Sequence, residues 1–215
     1  MGNVLIEARD LAFSYAAGAG EVFSGASFHI YAGDKAALLG DNGSGKSTLL
    51  RLLAGELEPG AGTIVNRKAS VFLLKQEDSA GGELSAMAWL LDAAAGLGAA
   101  YARLEAAERA GVDEAGAAVE FTEAGGWELV AAIGAGAAAL GFDNAALGRP
   151  VESFSGGERK ILAIMAGFLR APDLYLLDEP TNYLDGAAMQ RLAAAIRSFR
   201  GGCLVVSHDR AFLDG

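Results

Sequence analysis

Cysteine, proline and histidine are scarce in this chain of 215 residues: one Cys, four Pro and two His. A lone Cys203 cannot close an internal disulfide, which excludes a disulfide scaffold and suits a reducing compartment. Positive charge is also in deficit, with 17 Lys and Arg against 27 Asp and Glu and a formal net charge of −10. Indiscriminate binding to nucleic acid or anionic lipid needs the opposite balance, although a local basic patch remains possible. No long apolar run is present. The most apolar stretch, Leu129 to Phe142, is rich in Ala and Gly and falls well short of the roughly 20 residues of a membrane span. Met1-Gly2-Asn3-Val4 begins no cationic leader with an apolar core, so no secretory signal is expected. What is abundant is apolar side chain, 52% of residues against 20% charged, enough for a substantial core in one domain spanning 1–215.

The first third reads as short strands and turns: Val4-Leu5-Ile6, Leu11 to Tyr15, Phe28 to Tyr31, Thr63-Ile64-Val65 and Ser70 to Leu74. Ala36-Ala37-Leu38-Leu39 is a continuous apolar run, the pattern of a strand buried on both faces. From about Glu83 to Leu140 the composition turns to Ala, Leu and Glu, predicting helices. The glycines at 96, 98, 111, 116, 125 and 126 blur their boundaries. After Pro150 come a helix (Glu158 to Leu169), a strand (Leu174 to Leu177), a helix (Ala187 to Phe199) and a strand (Cys203 to Val206). The expected fold is α/β, with a core sheet flanked by helices, an N-terminal antiparallel layer and a helical subdomain over about residues 83–167.

Gly40-Asp41-Asn42-Gly43-Ser44-Gly45-Lys46-Ser47 fits G-x-x-x-x-G-K-[ST] and stands between an apolar strand and a helix start. Its glycines permit a sharp turn that aims successive amides at phosphate oxygens, and the helix N-terminus adds partial positive charge. Lys46 is expected to reach the β- and γ-phosphates and Ser47 to ligate Mg²⁺, with Gly40, Asn42, Gly43, Ser44, Gly45 and Thr48 also binding the nucleotide. A chance glycine-rich turn is the competing explanation, and the flanking elements argue against it. Leu174-Tyr175-Leu176-Leu177-Asp178-Glu179 is an apolar strand ending in two carboxylates. Alone, such a pair is as readily a solvated turn. Beside a complete phosphate loop, Asp178 is placed to hold Mg²⁺ and Glu179 to polarise the water that attacks the γ-phosphate.

With Ser155-Gly156-Gly157-Glu158 between these two motifs, the sequence resembles the ATP-binding cassette (ABC) ATPases. The resemblance implies an ATPase using ATP and Mg²⁺. It implies that Ser155, Gly156 and Gly157 serve the nucleotide of a second cassette met head to tail, as a homodimer or through a missing second half. Phe154 stands where that family usually has Leu. The resemblance further implies that Gln76 senses Mg²⁺ and the attacking water, that His208 contacts the γ-phosphate, and that Tyr15, rather than Phe13, stacks on adenine. Read singly, each has a plainer explanation: a turn glutamine, a hydrogen-bonding histidine, a core tyrosine.

Asp178-Glu179-Pro180-Thr181-Asn182-Tyr183-Leu184-Asp185 resembles the D-E-P-T-N-H-L-D string of the ABC-F branch, with Tyr183 in place of His. Ser207-His208-Asp209-Arg210-Ala211-Phe212-Leu213-Asp214 resembles that branch's S-H-D-R-x-F-L-D and discriminates better. ABC-F membership implies a cytoplasmic switch on the ribosome, in translation or antibiotic resistance, with the ribosome contacted through parts outside this chain and no membrane insertion. The alternative is the motor subunit of a membrane transporter. With one phosphate loop, one signature and an end at Gly215, the chain resembles a first or truncated cassette, and alone it is expected to be a weak ATPase. Several residues invite no role. Cys203, His29, Trp89 and Trp127 read as packing or structural residues, Arg67-Lys68 as a solvated turn, and Asp185 either as an opposite-cassette contact or a local helix cap.

Overall fold

A computed structural model describes residues 2–16 and 20–214; Met1 and Gly215, the limits of the expected domain, lie outside the described residues. Two compact units emerge, one of residues 1–77, 171–182 and 196–215, the other of residues 78–170 and 183–195.

The first unit carries two sheets. β1 (Val4–Phe13) lies between β2 (Phe23–Tyr31) and β4 (Ala61–Asn66) in an antiparallel sheet. β3 (Lys35–Leu38), β7 (Gly202–Val206), β6 (Leu174–Asp178) and β5 (Val71–Leu74) form a parallel sheet in that order. Leu5, Ile6, Leu11 and Ile30 of the first sheet share one apolar cluster with Leu174, Leu176, Leu204 and Val206 of the second. Leu49, Leu50 and Leu53 of α1 (Lys46–Leu53) complete it. The two central parallel strands are buried along their whole length, and apart from the terminal Asp178 of β6 they are apolar runs.

The two N-terminal strand segments are one strand, bent where Asp10 adopts φ +47° and the register with β2 shifts between Ala8 and Leu11. The polar middle of β1 is tolerated because Glu7 is ion-paired there with Arg9 and Arg67. Those guanidiniums, Arg9 foremost, hold its carboxyl below the ordinary glutamate value. His29 Nε2 stands 3.5 Å from the same carboxylate, and Arg67 is thereby an ion-pair partner. β2 extends back to Phe23 because Ala26 and Phe23 pair with Leu11 and Phe13. One expectation is corrected: β3 is not buried on both faces. It is the edge of the parallel sheet, paired with β7, and Lys35, Ala36 and Ala37 are exposed. Small alanines on a strand with a single neighbour leave their faces to solvent.

The second unit is helical, with α2 (Ala86–Ala95), α3 (Gly98–Ala110), α4 (Ala115–Glu123), α5 (Gly126–Leu140), α6 (Asn144–Leu147) and α7 (Gly156–Leu169). Leu90, Leu91, Phe121, Ile133, Leu147 and Leu162 fill its core. Gly96, Gly111 and Gly141 terminate helices in the left-handed conformation. Trp89 packs against this core; Trp127 meets the Phe121 ring edge-on and donates its indole N–H to Thr122 Oγ1. Asp185 accepts from the Ala188 amide at 2.7 Å near the start of α8 (Gly186–Ser198), as a cap does. Among the described residues no helix is long and apolar enough to cross a membrane.

Candidate nucleotide site

The loop after β3 reaches α1 through two glycines in the left-handed region, Gly43 (φ +80°) and Gly45 (φ +89°). At Gly45 a Cβ would stand 2.6 Å from Val22 Cγ1, so both conformation and space demand glycine. At Gly43 a Cβ would meet nothing within 4 Å, leaving the loop's face open. Gly40 and Ser44 sit at the base, where a Cβ on Gly40 would fall 2.7 Å from Ser44 Oγ. Lys46 donates from Nζ to the carbonyls of Gly40 (2.8 Å) and Asp41 (2.9 Å), which holds its ammonium across the loop.

A cavity of about 520 Å³ opens over this loop, lined by Tyr15, Asn42, Gly43, Gly45, Lys46, Ser47, Thr48, Gln76, Asp178, Glu179 and His208 among others. Sequence distance from Tyr15 to His208 collapses here because β5, β6 and β7 end side by side. Leu74 pairs with Leu177 and Asp178 with Val206, so Gln76, Asp178, Glu179 and His208 cluster at the carboxyl ends of the strands of one sheet. Tyr15, 61% exposed, offers its ring to the cavity while its hydroxyl meets Thr48 Oγ1 at 2.8 Å and its edge meets Phe13. Gly40 and Ser44 are not among the lining residues. Ser155, Gly156 and Gly157 belong to the other unit.

The carboxylates differ in their surroundings. Asp178 is buried, and its Oδ1 has no hydrogen-bond partner among the described residues. A buried carboxylate oxygen left in this way is costly unless a cation or donor joins it, so the site fits Mg²⁺. Glu179 adopts φ +47°, rare for a side chain with a Cβ, and its backbone N–H reaches Val206 O at 2.9 Å. Its Oε1 likewise makes no hydrogen bond of good geometry among the described residues, although His208 Nε2 stands 2.8 Å away as an ion-pair neighbour. Burial pushes the Glu179 carboxyl above the ordinary glutamate value, and the imidazole and backbone N–H of His208 pull it back less strongly. A carboxylate shifted upward is a better proton acceptor near neutral pH.

At the start of α7, Ser155 is the helix cap. Its Oγ accepts from the Glu158 amide at 3.3 Å, and Glu158 Oε2 accepts from the Ser155 amide at 2.7 Å, a complete capping box. The helix thus begins at Gly156, two residues before the periodicity suggests. Gly157 is required sterically, since a Cβ there would lie 2.5 Å from the carbonyl oxygen of Tyr183. Sequence reasoning missed Asn182, Val22 and Val206 as lining residues. The string from Asp178 to Asp185 contained the signal for Asn182, whereas the two valines become visible only through the fold.

A family model described as ABC transporter matches residues 23–182. The chain is 37% identical over 207 residues to the tylosin resistance ATP-binding protein TlrC of Streptomyces fradiae, covering 90% of this chain and 38% of that protein. It is 34% identical over 197 residues to the energy-dependent translational throttle protein EttA of Mycobacterium tuberculosis, covering 86% and 34%. The chain therefore spans little more than a third of either relative. A metal-chelate-type ABC transporter in an inward-facing conformation superposes with a TM-score of 0.69 at 23% identity, covering 98% of this chain and 76% of that one. The family model matched over residues 23–182 makes the chain, with its phosphate loop, paired carboxylates and signature, a member of the ABC ATPase family, and its relatives support an ABC-F cassette.

Proposed function

We propose that this chain is a Mg-ATP-binding and ATP-hydrolysing cassette of ABC-F type, a cytoplasmic ATP-driven switch acting on the ribosome in translation or antibiotic resistance. The reading takes residues 1–215 as one nucleotide-binding domain whose helical subdomain spans about residues 83–167. The observation that carries the ATPase assignment is the convergence of Lys46, Ser47, Gln76, Asp178, Glu179 and His208 on one cavity, with Asp178 Oδ1 unsatisfied. Phosphoryl transfer asks a protein for positioning and charge rather than covalent chemistry, and that is what these groups supply.

In this reading the loop from Gly40 to Gly45 and the start of α1 cradle the phosphates and Lys46 neutralises the transferring group. Tyr15 stacks on adenine. Ser47, Gln76 and Asp178 would hold Mg²⁺, which when bound supplies charge neutralisation between the β- and γ-phosphates. Glu179 accepts a proton from the attacking water, and His208 steadies both Glu179 and the γ-phosphate. Ser155, Gly156 and Gly157 act on the nucleotide of a second cassette in a head-to-tail sandwich, so the isolated chain turns over slowly and faster at higher concentration. Turnover that is fast and independent of concentration overturns the need for that partner.

Relatives named for tylosin resistance and for translational throttling support the ribosomal assignment. The family description and the transporter fold likeness favour a competing reading as a transporter motor. Co-sedimentation of the natural full-length gene product carrying Glu179→Gln, with Mg-ATP, separates them. Enrichment in ribosomal pellets that is lost without ATP supports the ABC-F switch; enrichment in membrane pellets overturns it.

A further inference from the structure

The backbone ladder that joins β6 to β7 ends at Glu179, whose amide makes the last rung to Val206 O at 2.9 Å. Glu179 also turns out of the strand at φ +47°. Two residues further on, a side-chain contact takes over. Thr181 Oγ1 and Ser207 Oγ lie 2.9 Å apart, both residues buried, Ser207 almost completely. Ser207 Oγ accepts in addition from the Asp209 amide at 3.1 Å. His208 is thus spanned by a bond from the residue before it to the residue after it, and that bracket is tied to the segment carrying Glu179. The imidazole itself is half in solvent, its side chain 54% exposed, and packing alone does not fix it. Neither Thr181 nor Ser207 lines the cavity.

We infer that the Thr181–Ser207 hydroxyl pair is a positioning device that holds His208 against Glu179 beyond the end of the backbone ladder. The inference rests on the proposed roles of Glu179 and His208. Whichever hydroxyl donates, the pair closes a hydrogen-bonded link across the two strand exits. Loss of the Ser207 hydroxyl takes this partner from the buried Thr181 hydroxyl, whereas loss of the Thr181 hydroxyl leaves Ser207 Oγ with the Asp209 amide. A displacement of about 1 Å at reacting groups costs up to roughly 10²-fold in rate, so loss of the link reads out in turnover before nucleotide binding.

The test uses the full chain with Thr181→Val, which keeps shape and removes the hydroxyl, Ser207→Ala as a second break, and Thr181→Ser as the conservative rescue. Expected are a loss of ATP turnover of about tenfold or more in either break, ATP affinity within about twofold of wild type, recovery in Thr181→Ser, and a double variant no worse than the single ones. A second readout is independent of hydrolysis. The chain has two histidines, so the His208 ring resonance is assigned by comparison with His29→Gln. Glu179→Gln displaces that resonance in the wild-type background and leaves it unmoved in the Thr181→Val background. Persistence of the displacement in both breaks, or failure of Thr181→Ser to restore it, overturns the positioning role. If the wild type itself hydrolyses no ATP, the ATPase reading falls while the resonance comparison still decides the latch.

Discussion

The two units spend their residues differently. In the helical unit nearly every feature serves stability: Phe121, Ile133 and Leu162 fill a core, and left-handed glycines stop helices. In the sheet-bearing unit the strand exits do the reverse. Glu179 is buried, carries strained backbone and sits beside a second buried carboxylate, three conditions that folding alone disfavours. Residues whose chemistry opposes stability mark function, and they collect where the strands of one sheet end.

That contrast is open to direct challenge. The largest effect belongs to Phe121→Ala in the helical core, expected to cost about 3–5 kcal/mol of stability by denaturant unfolding. Glu179→Gln is expected to cut ATP turnover by about 10²-fold or more while leaving ATP binding and the melting temperature at or above wild type. If Glu179→Gln destabilises the protein as Phe121→Ala does, the division between the two units collapses. Gly157→Ala must push its new Cβ against the Tyr183 carbonyl and is expected to lower stability by about 1–3 kcal/mol, measured by thermal melting.

The smallest effect concerns acid. The Ser155 hydroxyl and then its backbone N–H hold the Glu158 carboxyl below its ordinary value. Because the folded value is depressed, the ionised cap stabilises the protein above the ordinary glutamate range. That contribution disappears as pH falls through the depressed value. Melting curves of wild type and Glu158→Gln should therefore differ at neutral pH and converge as the pH falls below the ordinary glutamate range. A gap that widens in acid excludes this account.

The sequence made the phosphate loop legible because its glycines and Lys46 are tied to fixed offsets between a strand and a helix. β6 and β7 were equally plain, as uninterrupted apolar runs. Reading weakened where tertiary pairing overrides local preference. Ser24 to Ser27 have little strand propensity yet lie within β2, where Ala26 pairs with Leu11, and the polar Glu7 and Arg9 lie inside one strand because they neutralise each other. The exposure of β3 was illegible, since an apolar run does not say how many neighbours its strand will have. In the helical region, glycines at 96 and 111 end helices whereas those at 98, 116 and 126 lie within first turns, a difference of backbone conformation that composition does not encode. The Thr181–Ser207 pair was hidden for a simpler reason: residues 26 apart meet only once two parallel strands are laid side by side.

The placement of Trp89 and Trp127 has an experimental consequence. Both belong to the helical unit, and neither lines the nucleotide cavity, whereas His29 and His208 both belong to the sheet-bearing unit. Tryptophan fluorescence, excited selectively, therefore observes one half of the molecule and imidazole proton resonances the other, with no labelling. The single thiol does not confuse either signal or invite a stray dye, because burial pushes Cys203 up to about 11 and keeps it protonated. Unmodified, the protein is already a two-channel instrument in which melting of the helices and events at the strand exits can be timed separately.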